Sequence, residues 1–181
     1  MNSTNSLFVE RNKRVKGGKS NFASSSSDAR RKIKTDMLEF HSGIQEVWKP
    51  KVFLSYVKDD KYVVDKIIAF LKQNGCKPWS CEYDLLPGQA WETEIKKKIE
   101  QSDFFIACLS KKYIEASGIV QIELKYAGKI LEQIPEEKIF VIPIKLDDCK
   151  MPGSLSNRQS VNWRDLNAKP KILKAIQTWV G

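Results

Sequence analysis

From Lys51 onward, short apolar runs alternate with stretches whose apolar residues recur every three or four positions. The first pattern suits buried strands and the second suits amphipathic helices. Val52 to Tyr56 therefore predicts a strand. A helix from about Asp59 to Asn74 follows, with Val64, Ile67, Ile68 and Leu71 on one face and Gly75 as its C-terminal stop. Cys76 to Cys81 predicts a second short strand, and the loop Glu82 to Ala90 carries Pro87-Gly88. Trp91, Ile95 and Ile99 then stack at four-residue spacing on a second helix. Asp103 to Leu109 predicts a third strand, residues 111–134 an interrupted helix, Lys138 to Ile144 a fourth strand and Ser160 to Trp163 a fifth. A closing helix spans Asp165 to Val180. This βα alternation implies a parallel sheet with helices on both faces, and ligands bound beyond the C-terminal ends of its strands.

The chain before Lys51 is different in kind. Residues 1–34 are rich in Ser, Asn, Gly and Lys, include the run Ser24 to Ser27, and hold few large apolar side chains. Such a segment cannot offset its ordering entropy, so a disordered basic tail or linker is expected. Residues 35–49 place Met37, Phe40, Ile44 and Trp48 at helical spacing and predict a lead-in helix, with His41 as a surface or packing residue. The remainder, residues 50–181, has the size of one domain.

Charge sharpens that division. The chain has a net charge of +9, from 31 Lys and Arg against 22 Asp and Glu. Residues 1–34 contribute nine basic and two acidic residues, or +7, which leaves 22 against 20, or +2, for the rest. A basic, nucleic-acid-reading fold is thereby disfavoured. The tail alone could contact nucleic acid or an anionic membrane, but a solubilising leader is the favoured account. No apolar run approaches the roughly 20 residues needed to span a bilayer, and no signal-peptide pattern opens the chain. Cys76, Cys81, Cys108 and Cys149 lack CxxC spacing, and His41 is the single histidine, so no metal site is expected. Cys81 and Cys108 fall in predicted buried strands, where free thiols suit a cytoplasmic location.

Several chemistries are excluded by missing residues. Neither GxGxxG after the first strand nor GxxxxGK[ST] is present. A phosphoacceptor domain of this architecture needs an Asp at the end of the third strand, where Cys108-Leu109-Ser110 stands instead. On the helix that contains Glu123, the residues Ile119, Val120, Ile122, Leu124, Tyr126, Ala127, Ile130 and Leu131 fill one apolar arc. Glu123 falls near the middle of that arc. A carboxylate so placed is costly unless it is paired or used, which leaves open both an ion pair or loop cap and a catalytic site.

Five segments then resemble, in order, the motifs of Toll/interleukin receptor (TIR) domains: KVFLSY at 51–56, EYDLLPGQAW at 82–91, DFFIACLSKKY at 103–113, SGIVQIELKYA at 117–127 and NWRDL at 162–166. The resemblance covers residues 50–181 and is greatest to bacterial members. It implies a flavodoxin-like three-layer α/β fold with a central five-stranded parallel sheet. In the enzymatic branch, it implies cleavage of NAD+ at the nicotinamide–ribose bond by a Glu that matches Glu123, with NAD+ as substrate and no cofactor. The expected products are nicotinamide and ADP-ribose or a cyclic variant.

The resemblance also places Ser55, Tyr56 and Lys58 along the substrate cleft and matches Trp91 to a ring-stacking position. A core-facing Trp91 is the alternative. Leu86, Pro87 and Gly88 match the turn used for homotypic contacts, implying a homo-oligomer and other TIR domains as partners. Many catalytic members carry Trp four residues before the Glu, and here that substrate-side position is Ile119. Two functions follow: an NAD+ glycohydrolase activated by self-assembly in bacterial immunity or virulence, including as an effector delivered to a host cytoplasm, or a non-catalytic TIR interaction module.

Overall fold

The computed structural model describes residues 48–178. The tail over 1–34, His41 and the lead-in helix as far as residue 47 lie outside the described residues, as does Val180. Five strands are formed: β1 (Lys51–Ser55), β2 (Lys77–Trp79), β3 (Phe104–Leu109), β4 (Val141–Lys145) and β5 (Val161–Asn162). The helices are α1 (Lys61–Gln73), α2 (Cys81–Asp84), α3 (Trp91–Glu100), α4 (Lys111–Glu115), α5 (Ile119–Leu131) and α6 (Ala168–Gln177). All strands are parallel, in the order β2-β1-β3-β4-β5.

Successive side chains of a strand point to opposite faces, and β3 displays the consequence. Phe104, Ile106 and Cys108 enter one core with Val64, Ile67 and Leu71 of α1 and Ile172 and Ile176 of α6. Phe105, Ala107 and Leu109 enter the other with Ile95 and Ile99 of α3 and Val120, Leu124 and Ala127 of α5. Every residue of β3 is buried, as a central parallel strand covered on both faces requires. The three-layer α/β expectation is met. Because the strand order reverses between β1 and β3, the loops beyond their C-terminal ends diverge and open a crevice there.

Two expectations need correction. The second strand stops at Trp79, and Cys81, read as its last residue, instead opens α2, which runs into the segment read as a loop. Ser80 explains the switch: its backbone N–H donates to Asp84 Oδ2 at 2.8 Å while Asp84 N–H donates to Ser80 O at 3.1 Å. These local bonds satisfy the backbone in place of a further ladder pair. The interruption expected in the helix over 111–134 falls at Ala116 to Gly118, between α4 and α5, where Gly118 has φ +87°. The other correction is that two elements start later than predicted: β4 begins at Val141 rather than Lys138, and α6 begins at Ala168 after turns closed by Asp165 and Ala168 N–H groups.

Candidate active site

Glu123 sits one turn into α5 and is 2% exposed. Its helical phase turns it towards the sheet, and the C-terminal end of β1 meets it there. Ser55 Oγ donates to Glu123 Oε2 at 2.5 Å, and Cys81 Sγ donates to Glu123 Oε1 at 2.8 Å. Neither donor carries charge. The carboxylate thus has two neutral partners in place of the Lys ion pair that the sequence left open.

Behind Ser55 stands Tyr113, fully buried, its hydroxyl 2.9 Å from Ser55 Oγ. A serine has one hydrogen to give. With that hydrogen on the Glu123 carboxylate, Tyr113 donates to Ser55, and the three groups form a chain from phenol to hydroxyl to carboxylate. Local structure places Tyr113: Ser110 caps α4 by accepting from the Tyr113 N–H at 3.0 Å, which fixes the first turn and directs the ring inward.

Burial pushes the Glu123 carboxyl up from 4.5 to about 7, with the Cys81 and Ser55 hydrogen bonds opposing it. Burial likewise raises the Cys81 thiol well above its ordinary value, and the adjacent Glu123 charge adds to the effect. Tyr113 is raised for the same first reason. Tyr56, whose hydroxyl lies 3.4 Å from Glu82 Oε2, is pushed up to about 12, chiefly by burial. Near neutral pH the group therefore comprises a poised carboxylate among protonated donors.

A cleft of about 480 Å³ opens over Glu123. Leu54, Tyr56, Val57 and Lys58 form one wall, Cys81, Glu82 and Leu85 a second, and Ala116, Ser117, Ile119 and Val120 a third. The lining is mostly apolar, with Lys58 and Glu82 as its exposed charged residues. An apolar wall excludes water and strengthens electrostatic contacts made inside it.

Of the residues singled out in the sequence, Tyr56, Lys58, Ile119 and Glu123 meet at this cleft, and Ser55 lies directly beneath it. Ile119 is 44% exposed at the rim, where it offers an apolar side chain. Trp91 is not among the lining residues: it is 40% exposed at the first turn of α3, while Ile95 and Ile99 of that helix are fully buried. Its side chain thus stands apart from the buried Ile95 and Ile99 of the same helix face. Leu86, Pro87 and Gly88 form a turn closed by Gln89 N–H to Leu86 O at 3.2 Å. Gly88 at φ +87° after Pro87 is the residue pair this turn requires. Leu86 is 63% exposed on it.

Sequence reasoning missed Cys81 and Tyr113 as parts of the site. For Cys81 no local signal exists, since it lies 42 residues from Glu123 and its strand assignment hid its direction. For Tyr113, the Ser110 cap three residues earlier was the available signal. Among the described residues, no helix is long and apolar enough to cross a membrane.

Comparison with known proteins bears on the whole arrangement. Residues 52–177 match the family profile described as TIR domain. No curated protein matches the sequence. The TIR domain of the Toll-related receptor TRR-2 from Hydra magnipapillata is 22% identical over 71% of this chain and 96% of that chain, with a TM-score of 0.56. The TIR domains of the activated Roq1 resistosome, which directly recognises the pathogen effector XopQ, are 19% identical over 74% and 100%, with a TM-score of 0.53. A metazoan TIR-STING receptor from C. gigas is 20% identical over 69% and 39%, with a TM-score of 0.52. At these identities the structural likeness speaks for the fold. Joined to the profile match across most of the chain and the five ordered motifs, it makes this chain a member of the TIR domain family.

Proposed function

We propose that this TIR domain is an NAD+ glycohydrolase that cleaves the nicotinamide–ribose bond. The observation that carries the proposal is Glu123, a buried carboxylate at the base of an apolar cleft, held by two neutral donors. Nicotinamide departs as a neutral molecule from a pyridinium cation, so its leaving needs no acid. What the reaction needs is stabilisation of the ribosyl cation left behind. One carboxylate in a low-dielectric pocket supplies that, and its effect is largest where water is excluded. Water attack at the ribose C1′ gives ADP-ribose, whereas an adenine nitrogen in its place gives a cyclic product. Lys58, which lines the cleft, would meet a phosphate as a point charge. Ile119 and Leu85 offer apolar contact to a ring.

Nicotinamide release by concentrated protein, compared between wild type and Glu123→Ala, tests the proposal. Loss of the carboxylate lowers the rate on the order of 10²–10³-fold. Equal release by both proteins, or none from either under crowded conditions, sinks it. The exposed Leu86 on the Pro87-Gly88 turn favours a second role alongside the first, contact between TIR domains, so activity is expected to rise with assembly.

A further inference from the structure

The two oxygens of Glu123 are held differently. On the Oε2 side, Ser55 and Tyr113 are both fully buried, and neither lines the cleft. On the Oε1 side the partner is Cys81, which is partly exposed and lines the cleft. The oxygen that faces the cleft is therefore the one held by a thiol, the weaker donor of the pair. We propose that Cys81 is a positioning residue whose thiol holds Glu123 Oε1 in place until a substrate hydroxyl takes over that hydrogen bond. The proposal rests on the glycohydrolase reading, and ribose hydroxyls are the donors that fit.

Three features of the site support a placeholder. A carboxylate with one oxygen bound and the other free would rotate about its terminal torsion, which is broad and weakly restrained. Two donors remove that freedom before substrate arrives. A thiol bond is also cheaper to give up than a hydroxyl bond, so the exchange for a ribose hydroxyl is downhill. Finally, the thiol is raised so far above its ordinary value that it remains a donor at neutral pH. The titratable and charged groups that face Glu123 across the site are Tyr56 and Lys58 from the end of β1 and beyond, Glu82 beside Cys81 on α2, and Tyr113 on α4. Substitution of Cys81 leaves all of them in place.

The test uses the full chain with ¹³C-labelled Glu, with the Glu123 carboxyl signal assigned by its loss in E123Q. The signal is titrated in wild type, C81A and C81S. Removing the donor in C81A shifts the Glu123 midpoint up by about one unit, and the better donor in C81S shifts it down. In turnover, C81S raises KM for NAD+ several-fold with kcat retained, because the stronger hydroxyl bond is harder to displace. A common midpoint in all three proteins, the reverse order, or a fall in kcat with KM unchanged overturns the proposal. The titration reads Glu123 whether or not NAD+ is cleaved. Absent nicotinamide release therefore removes the glycohydrolase reading, whereas an unmoved titration with release intact removes the role of Cys81.

Discussion

At the scale of single residues, the burial of the Glu123 carboxyl costs the fold stability. That carboxyl stands at about 7 in the native state against 4.5 for an ordinary Glu, so the folded protein disfavours the charged form. Below pH 4.5 the group is neutral whether folded or unfolded, and it costs nothing. Between 4.5 and about 7 the unfolded chain ionises first, and native stability falls as pH rises. Above 7 the penalty is constant, on the order of 3 kcal/mol for a shift of this size. Glu123→Gln removes the ionisation and keeps the shape. It is expected to stabilise the protein by about 1–3 kcal/mol at pH 8, after allowance for weaker hydrogen bonds, with the advantage gone near pH 4. Denaturant midpoints of the two proteins at both pH values check this, and an equal gain at pH 4 would contradict it. The helical wheel alone placed Glu123 on an apolar arc, so its burial was legible from sequence. Its donors were not, because periodicity gives a direction from the helix axis and says nothing of what stands there.

At the scale of elements, the site depends on two interruptions. One is α2, where Ser80 and Asp84 turn the chain after β2 and bring the Cys81 thiol over the cleft. The other is the break between α4 and α5. Gly118 at φ +87° and ψ −127° occupies backbone space closed to residues with a Cβ, although nothing lies within 4 Å of where that Cβ would be. The cost of Gly118→Ala is therefore purely conformational and is expected to be about 1–3 kcal/mol. Because α5 carries both Glu123 and Ile119, the same substitution should lower activity more than a comparably destabilising core substitution such as Ile176→Val in α6. Chemical denaturation combined with nicotinamide release separates the two effects. An interruption within residues 111–134 was foreseen from the sequence, though not its position, as was the Gly75 stop at φ +81°. The short α2 was not, since a local exchange of Ser80 and Asp84 hydrogen bonds forms a helical turn where the sequence reads as the end of a strand and the start of a loop.

At the scale of the whole molecule, the strand order β2-β1-β3-β4-β5 puts the end of β1 beside α2, α4 and α5, and the cleft exists only through that juxtaposition. The Leu86 turn stands outside it, on the surface, whereas the preceding Leu85 lines the cleft. Leu86→Asp is expected to leave Glu123 and its partners undisturbed while weakening contact between protomers. Specific activity in nicotinamide release should then lose its rise with protein concentration, and sedimentation should show less assembly. An unchanged concentration dependence would exclude this turn from the contact.

The sequence by itself determined the kind and order of the elements and the face of α5 on which Glu123 lies. Periods of 2 and 3.6 are local properties, and five ordered motifs carried the family. Tertiary structure alone decided that Ser55, 68 residues away, and Cys81, 42 residues away, close on the two oxygens of that carboxylate. It also decided that Trp91 stays at the surface. Contacts between residues so far apart depend on how the sheet orders its strands and how each helix settles on it, and neither is written in the spacing of any one segment.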